Sequence, residues 1–483
     1  MAEGSRRSLL AGFAALASTV AEAGADRLTV ALGGRERTRV IVVLACVLGL
    51  SAADVTTVGA SATELRHGLH ISNTDIGLLV AATSLVGAVA SLPFGILADR
   101  VRRTTTLAIA IVLWAVAMLW SAAVPTFHDL LIARLFLGAV TAAAGPMIAS
   151  LVGDYFGGWE RGRIYGYILT GELLGAGFGF AVTGDIATVS WRAAFVILAL
   201  PALALSVFVA RLPEPRRGGR GILDHESAKP PEDFVEGPHE TDAQRLARER
   251  GLGADPELVL HGDVRRMNIV AATRYVLRIR TNIVLIAASA LGYYFLAGLQ
   301  TFGAEFVKEQ YGIGQAIANL LLLIIGIGAV GGVLAGGAVG DRLLRGGRLN
   351  GRIYTAIGAA VLTPVLFAPA IFMRSAGAAV PYLIVAAFFL SAQNPPLDAA
   401  RLDIMPPLLW GRAEAVRTLF RSLAQALAPL LFGVVSDHVF GGGRSGLQWT
   451  FAVMLVPLAA SAYLLFKGRR TYPRDVATAA ASA

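Results

Sequence analysis

Apolar residues in this chain come in unbroken blocks of about twenty. That is the length a helix needs to cross a ~30 Å hydrocarbon layer at ~1.5 Å per residue. Twelve blocks can be marked, near 40–62, 73–97, 104–124, 130–152, 163–183, 191–210, 282–303, 315–339, 352–373, 378–400, 413–435 and 448–467. Lipid admits only helices or closed barrels, because it offers no water to unpaired backbone groups. Barrel strands alternate apolar and polar residues, and these blocks do not. The expected fold is therefore an all-α polytopic membrane protein with twelve transmembrane helices. Composition agrees: 55% of residues are hydrophobic and 16% charged, against roughly 45–50% and 25% in soluble domains.

Lys and Arg set the expected orientation. They gather after block two (Arg100, Arg102, Arg103), block four (Arg161, Arg163), block eight (Arg342, Arg345, Arg348, Arg352), block ten (Arg412, Arg417) and block twelve (Lys467, Arg469, Arg470, Arg474). Alternating spans put all of these on one face, which the positive-inside rule makes cytoplasmic. Both termini then lie inside, and the plasma (cytoplasmic) membrane is the expected location. The net charge of +9 is explained by these loops, so no nucleic-acid partner is expected. Cys46 stands alone, which excludes a disulfide framework or a cysteine metal cluster.

The expected organisation is an N-terminal segment (1–38), a six-helix half (39–210), a linker (211–281), a second six-helix half (282–467) and a tail (468–483). Arg6, Arg7 and the apolar run after them look like a secretion signal, but cleavage would contradict the orientation. Leu9, Phe13, Leu16 and Val20 share one helical face, and a surface-lying amphipathic helix is the better reading. The linker is rich in Pro, Gly and charge, and reads as a tether.

Two stretches share a design. Gly95, Asp99, Arg100 and Arg103 close block two; Gly337, Asp341, Arg342 and Arg345 close block eight. Asp154 with Arg161, and Asp403 with Arg412, are weaker relatives after blocks four and ten. A six-plus-six repeat marks a secondary transporter with its site between the halves. The chain here resembles the major facilitator superfamily, whose loop between helices two and three carries Gly, Asp, Arg and Gly-Arg; Arg102 stands where the family has Gly. Arg134 resembles the family's fourth-helix arginine, which the resemblance links to proton coupling. The stretches "RLFLGAVTAAAGPMIASLVGDYFGGWERGR" and "PPLLWGRAEAVRTLFRSLAQALAPLLFGVVSD" are similar to the Spinster branch. That similarity implies a role for Asp54, although Val55 and Thr141 depart from the branch pattern. The repeated Asp and Arg residues (Gly95, Asp99, Arg100, Arg103, Asp154, Arg161, Asp341, Arg342, Arg345, Asp403 and Arg412) are expected to form a cytoplasmic gate that bridges the halves.

Ionisable groups at bilayer depth cost at least ~2.5–3.5 kcal/mol and need a reason. Asp54 and Arg134 have compatible depths and are expected to pair beside the central cavity, with Asp54 taking up the proton. Glu172 is a second proton candidate, and Gly171, Gly175, Gly177 and Gly179 around it offer a close-packing surface. Gln300, Gln393, Asn394, Asp398 and Tyr294 are expected to line the cavity from the second half, although Tyr293, Tyr294 and Phe295 also suit an interfacial belt. A second half poor in deep charge points to proton-coupled export of an amphipathic or lipid-like molecule or drug. The alternatives are an importer of sugars or organic acids, or a non-transporting scaffold. No GxxxxGK[ST] and no nucleophile or metal constellation occurs, so no enzyme, metal or cofactor is expected. The partners expected are a small-molecule substrate, protons and lipids, for a monomeric chain.

Overall fold

The computed structural model describes residues 29–30, 32–71, 73–217, 241–260, 267–441 and 443–482. The expected N-terminal surface helix and the middle of the linker lie outside them. The long helices follow the twelve blocks. The first half holds α1 (Arg35–Ala60), α2 (Asn73–Arg100), α3 (Arg103–Ala123), α4 (Phe127–Tyr155), α5 (Arg161–Phe178) and α6 (Trp191–Ala210). The second half holds α7 (Arg280–Tyr311), α8 (Gln315–Arg345), α9 (Gly351–Phe372), α10 (Ala376–Asp403), α11 (Trp410–Val434) and α12 (Gly443–Gly468).

Local chemistry sets several helix ends. The Thr126 hydroxyl accepts the Asp129 N–H at 3.2 Å and starts α4, and Ser190 does the same for α6. Gly312 closes α7 at φ 61°, a left-handed conformation that suits a residue without Cβ. Both α5 and α11 run into a π-turn, at Gly179–Thr183 and Val435–Val439.

The two halves repeat one packing plan. In the first, α1 packs on α5, α2 on α4 and α3 on α6; in the second, α7 packs on α11, α8 on α10 and α9 on α12. The halves meet through α2 on α11 and α5 on α8. Among the described residues, ten helices are long and apolar enough to cross a membrane, and α5 and α11 are not among them. Arg161, Arg163 and Glu172 on α5, and Arg412, Glu414, Arg417 and Arg421 on α11, lower their hydropathy. The two most polar helices thus lie at the contact between halves, where side chains meet protein rather than lipid.

Glycine makes these approaches close. A Cβ on Gly171 or Gly175 would run into the Ala45 or Gly49 backbone of α1. Gly177, expected on the same surface, faces open space instead.

The linker is more than a tether at its two ends. The Arg103 guanidinium donates to the Glu214 carboxylate at 2.8 Å and to the Pro215 carbonyl at 2.6 Å. Arg217 donates to the Ala98 and Val101 carbonyls at 2.7 and 2.5 Å, at the end of α2. Burial pushes the Glu214 carboxyl up, but the Thr104 N–H and Arg103 outweigh it and hold the group below its usual range. Further on, a capping box at Thr241 and Gln244 starts a helix at Asp242–Glu249. Its Gln244 amide donates to the Asp403 carbonyl of the second half at 3.0 Å. Gly158 of the first half lies against Asp242, and burial pushes the Asp242 carboxyl up. A helix at Tyr472–Ala481 covers the same face, with its Tyr472 hydroxyl donating to Asp403 at 2.7 Å.

Candidate functional site

The repeated motif forms two matched inter-half contacts. Asp99, at the end of α2, accepts the Gly411 and Arg412 backbone N–H groups at 3.1 and 3.3 Å and pairs with Arg412 Nε at 3.2 Å. Those N–H groups open α11, so a carboxylate caps the positive end of a helix from the other half. Asp341, at the end of α8, accepts the Gly162 and Arg163 N–H groups at 3.3 and 2.7 Å, at the opening of α5. Small residues permit the approach. A Cβ on Gly95 would lie 2.6 Å from the Ala415 methyl, and one on Gly337 would enter the Gly162 carbonyl. Between the two caps the Arg161 guanidinium stacks on the Trp410 ring, 4.7 Å from its centroid. All of this lies at the basic face, where the two halves touch.

The other expected gate residues do different work. Arg103 does not cross between halves; it pairs with Asp154 of α4, with Ser150 and with Glu214. Its counterpart is not Arg345, which is exposed together with Arg342. The counterpart is Arg352, near the start of α9, paired with Asp403 at 2.5 Å and Asp341 at 2.8 Å. The reason is local. The first half breaks after Arg100 and restarts at Arg103, whereas α8 runs on to Arg345 and leaves that residue on its outer side. Arg100 is exposed and reaches the Met267 carbonyl at 3.4 Å. Arg102 is exposed at the turn.

Asp54 and Arg134 pair as expected, through Arg134 nitrogens at 2.6 and 3.3 Å from the two carboxylate oxygens. Their surroundings differ from expectation. Both are about 97% buried, and Arg134 lies between the Met118 sulfur and the Phe195 ring. The pair is sealed inside the first half, among α1, α3, α4 and α6, rather than open to the space between halves.

Between the halves lies a group of charges in which the expected Asp398 and Glu172 are joined by residues placed in a loop or missed from sequence. Arg417 of α11 pairs with Glu414 at 2.8 Å and with Asp398 of α10 at 2.8 Å, and donates to the Ser289 hydroxyl at 3.1 Å. Arg401 pairs with Glu414 and with Asp398, the latter at 3.4 Å. One turn beyond Arg417, Arg421 stacks on the Tyr293 ring at 4.7 Å. On α5, the facing helix of the first half, Glu172 is half-buried.

The sequence model of the Major Facilitator Superfamily matches residues 44–390. The chain belongs to this superfamily. Among curated proteins it is 22% identical to the hexuronate transporter of Bacillus subtilis (strain 168) over 395 residues, 80% of this chain and 84% of that one. It is 26% identical over 144 residues to the "Probable L-galactonate transporter" of Escherichia coli (strain K12), spanning only 32% of that protein's length. In three dimensions it is similar to an inward-facing bacterial homologue of the human lysosomal transporter Spinster. The TM-score there is 0.54 at 19% identity, covering 91% of this chain and 98% of that one. Superfamily and fold are those of integral membrane transporters.

On the superfamily frame, the expected cavity residues separate. Gln300 is exposed on α7 and Asn394 is half-buried where α10 resumes after Gln393. Gln393 is buried against Gly292, with its Oε1 unpartnered. Asp398 is buried and held by two arginines rather than free. Tyr294 points away from the space between halves: its ring packs on Phe432 and its hydroxyl lies 3.3 Å from the Met454 sulfur. Phe295 lies in the same aromatic core against Phe367. Tyr293, under Arg421, is the tyrosine of this run that meets a charge, so none of the three sits in an interfacial belt. Arg37, paired with Glu160 at 2.5 Å, and Trp410 were also missed.

Proposed function

We propose that the chain is a proton-coupled secondary active transporter working by alternating access, oriented with its basic face in the cytoplasm. The observation that carries this reading is the pair of matched caps, Asp99 on α11 and Asp341 on α5. Each is built from groups water can re-satisfy, so the contact can separate without breaking either half. Asp54 is the proposed proton site. Its charge is tolerable at that depth because Arg134 balances it, and a buried pair that loses one charge is strongly unfavourable. Protonation of Asp54 thus demands a rearrangement of the first half.

An amphipathic or lipid-like substrate was expected because the second half looked poor in charge. With Asp398, Arg401, Glu414, Arg417 and Arg421 grouped there, that premise falls, and a small polar or charged solute is the better reading. Uptake with protons, as in the importer alternative, follows from it.

The test is flux in proteoliposomes under an imposed pH gradient, against a lysophospholipid, a cationic dye, glucose and glucuronate. Gradient-driven uptake of a polar solute, lost in Asp54→Asn, is expected. Full gradient-driven uptake by Asp54→Asn refutes the coupling role. Absence of flux for all four probes, with tight binding of a soluble partner to the linker, favours the scaffold reading.

A further inference from the structure

Glu172 and Arg421 occupy equivalent positions in the two halves. Each follows the start of its helix by the same number of residues, Arg161 to Glu172 and Trp410 to Arg421. At ~1.5 Å per residue both lie about 16 Å above the basic face. The repeat has thus placed an acid and a base at matched depth on the two polar helices, and both side chains keep part of their surface open.

Arg421 differs from the arginines below it. Arg401 and Arg417 are consumed by Asp398 and Glu414. Among the described residues no carboxylate lies within 4.0 Å of Arg421, and its Nε has no hydrogen-bond partner. Its guanidinium carbon sits 4.7 Å over the Tyr293 ring and the residue is only half-buried, so hydrogen-bond donors remain for a planar oxyanion, which a guanidinium takes up in two parallel bonds. Below, the Tyr165 hydroxyl and Gln393 Oε1 are buried without partners.

We propose that Arg421, braced by Tyr293, is the binding group for the carboxylate of a small organic-acid substrate, and that Glu172 carries the proton that accompanies it. This rests on the transport reading above. The charges set the balance at this site. Arg401, Arg417 and Arg421 face Asp398, Glu414 and Glu172, a balanced set while Glu172 is ionised. One proton on Glu172 leaves one positive charge uncompensated, and one substrate carboxylate restores the balance. At this site one proton on Glu172 and one monocarboxylate enter together without net charge, and the proton on Asp54 is additional to them. Among the described residues, the titratable groups acting most strongly on Glu172 are Arg417, Arg421 and Glu414 from α11 and Asp398 from α10, and it acts in turn on Tyr293 of α7. On other faces of α5, α1 presents Ala45 and Gly49 to Gly171 and Gly175, and α8 presents Val333 and Gly337 to Gly166 and Gly162.

The test uses the full purified chain and thermal shift with glucuronate, gluconate and lactate, with glucose as the neutral match. At least one carboxylate is expected to raise the apparent Tm at pH 5.5, less at pH 8, and glucose is not. Arg421→Ala is expected to weaken that carboxylate at least tenfold, with the ligand-free Tm within a few degrees of wild type. Arg421→Lys is expected to recover part of the loss, and Glu172→Gln to bind equally at both pH values. An undiminished shift in Arg421→Ala, an equal shift from glucose, or no shift from any of the three carboxylates overturns the proposal. The two readings fail separately. Gradient-driven flux that survives Arg421→Ala but is lost in Asp54→Asn sinks this site alone; no gradient-driven flux in wild type sinks the transport reading.

Discussion

Replacing Asp99 by Asn tests whether the caps hold the basic face shut. The carboxylate accepts two N–H groups at 3.1 and 3.3 Å and pairs with Arg412 at 3.2 Å. Bonds to a charged group contribute roughly 1.5–3 kcal/mol, and a negative charge at a helix start adds ~0.3–1 kcal/mol. Asparagine keeps one acceptor oxygen and loses the charge, so about 2 kcal/mol of the closed state disappears, roughly a 30-fold shift toward opening. Because the groups are rehydrated on opening, the fold itself keeps its stability. Spin labels at Glu36→Cys in the first half and Arg345→Cys in the second, both exposed, report the change by double electron–electron resonance in a Cys46→Ser background. The distance distribution is expected to gain a longer component in Asp99→Asn, and the same in Asp341→Asn. A distribution identical to wild type in both variants refutes the reasoning, because it leaves the caps without energetic weight.

Two further outcomes follow from the pairing within halves. Arg103→Ala removes the buried guanidinium that pairs with Asp154 and Glu214 and is expected to cost about 3–5 kcal/mol, a large fall in apparent Tm, while Arg345→Ala is expected to change almost nothing; equal effects in a thermal scan contradict the assignment of Arg352 as the counterpart of Arg103. Glu214 is held below its usual range in the folded chain, so its contribution is present at neutral pH and drains away as pH falls through its folded value. Glu214→Gln should therefore flatten the acid side of the stability profile, and an unchanged acid limb in pH-resolved thermal scans counts against the strap.

Much of the architecture could be read from hydropathy, because lipid imposes one solution on each apolar block. The repeat was legible too, since Gly95 with Asp99 and Gly337 with Asp341 recur at equivalent block ends. The pairing of Asp54 with Arg134 followed from the family resemblance and their compatible depths, but their burial inside the first half did not, because depth does not say which way a side chain points. The second-half charges were lost for a different reason. A hydropathy scan ends a span where charges begin, so Arg412 and Arg417 read as loop although they belong to α11. The missed signal was spacing: Asp398 to Arg401 and Glu414 to Arg417 are three apart, and Arg417 to Arg421 four, one helical face each. Arg345 was matched to Arg103 by counting from Asp341, and counting cannot see that α8 continues through that residue.

The two caps at the basic face have a consequence for the cell that owns this protein. Each half holds the other by its own aspartate, so on the proposed mechanism the two caps act in parallel, and weakening one makes opening easier without removing the other. Loss of either by damage or chance fluctuation leaves the second in place. A carrier proposed to run on an ion gradient must not short-circuit that gradient while idle. Duplication of one helix-end motif supplies that insurance without a separate plug.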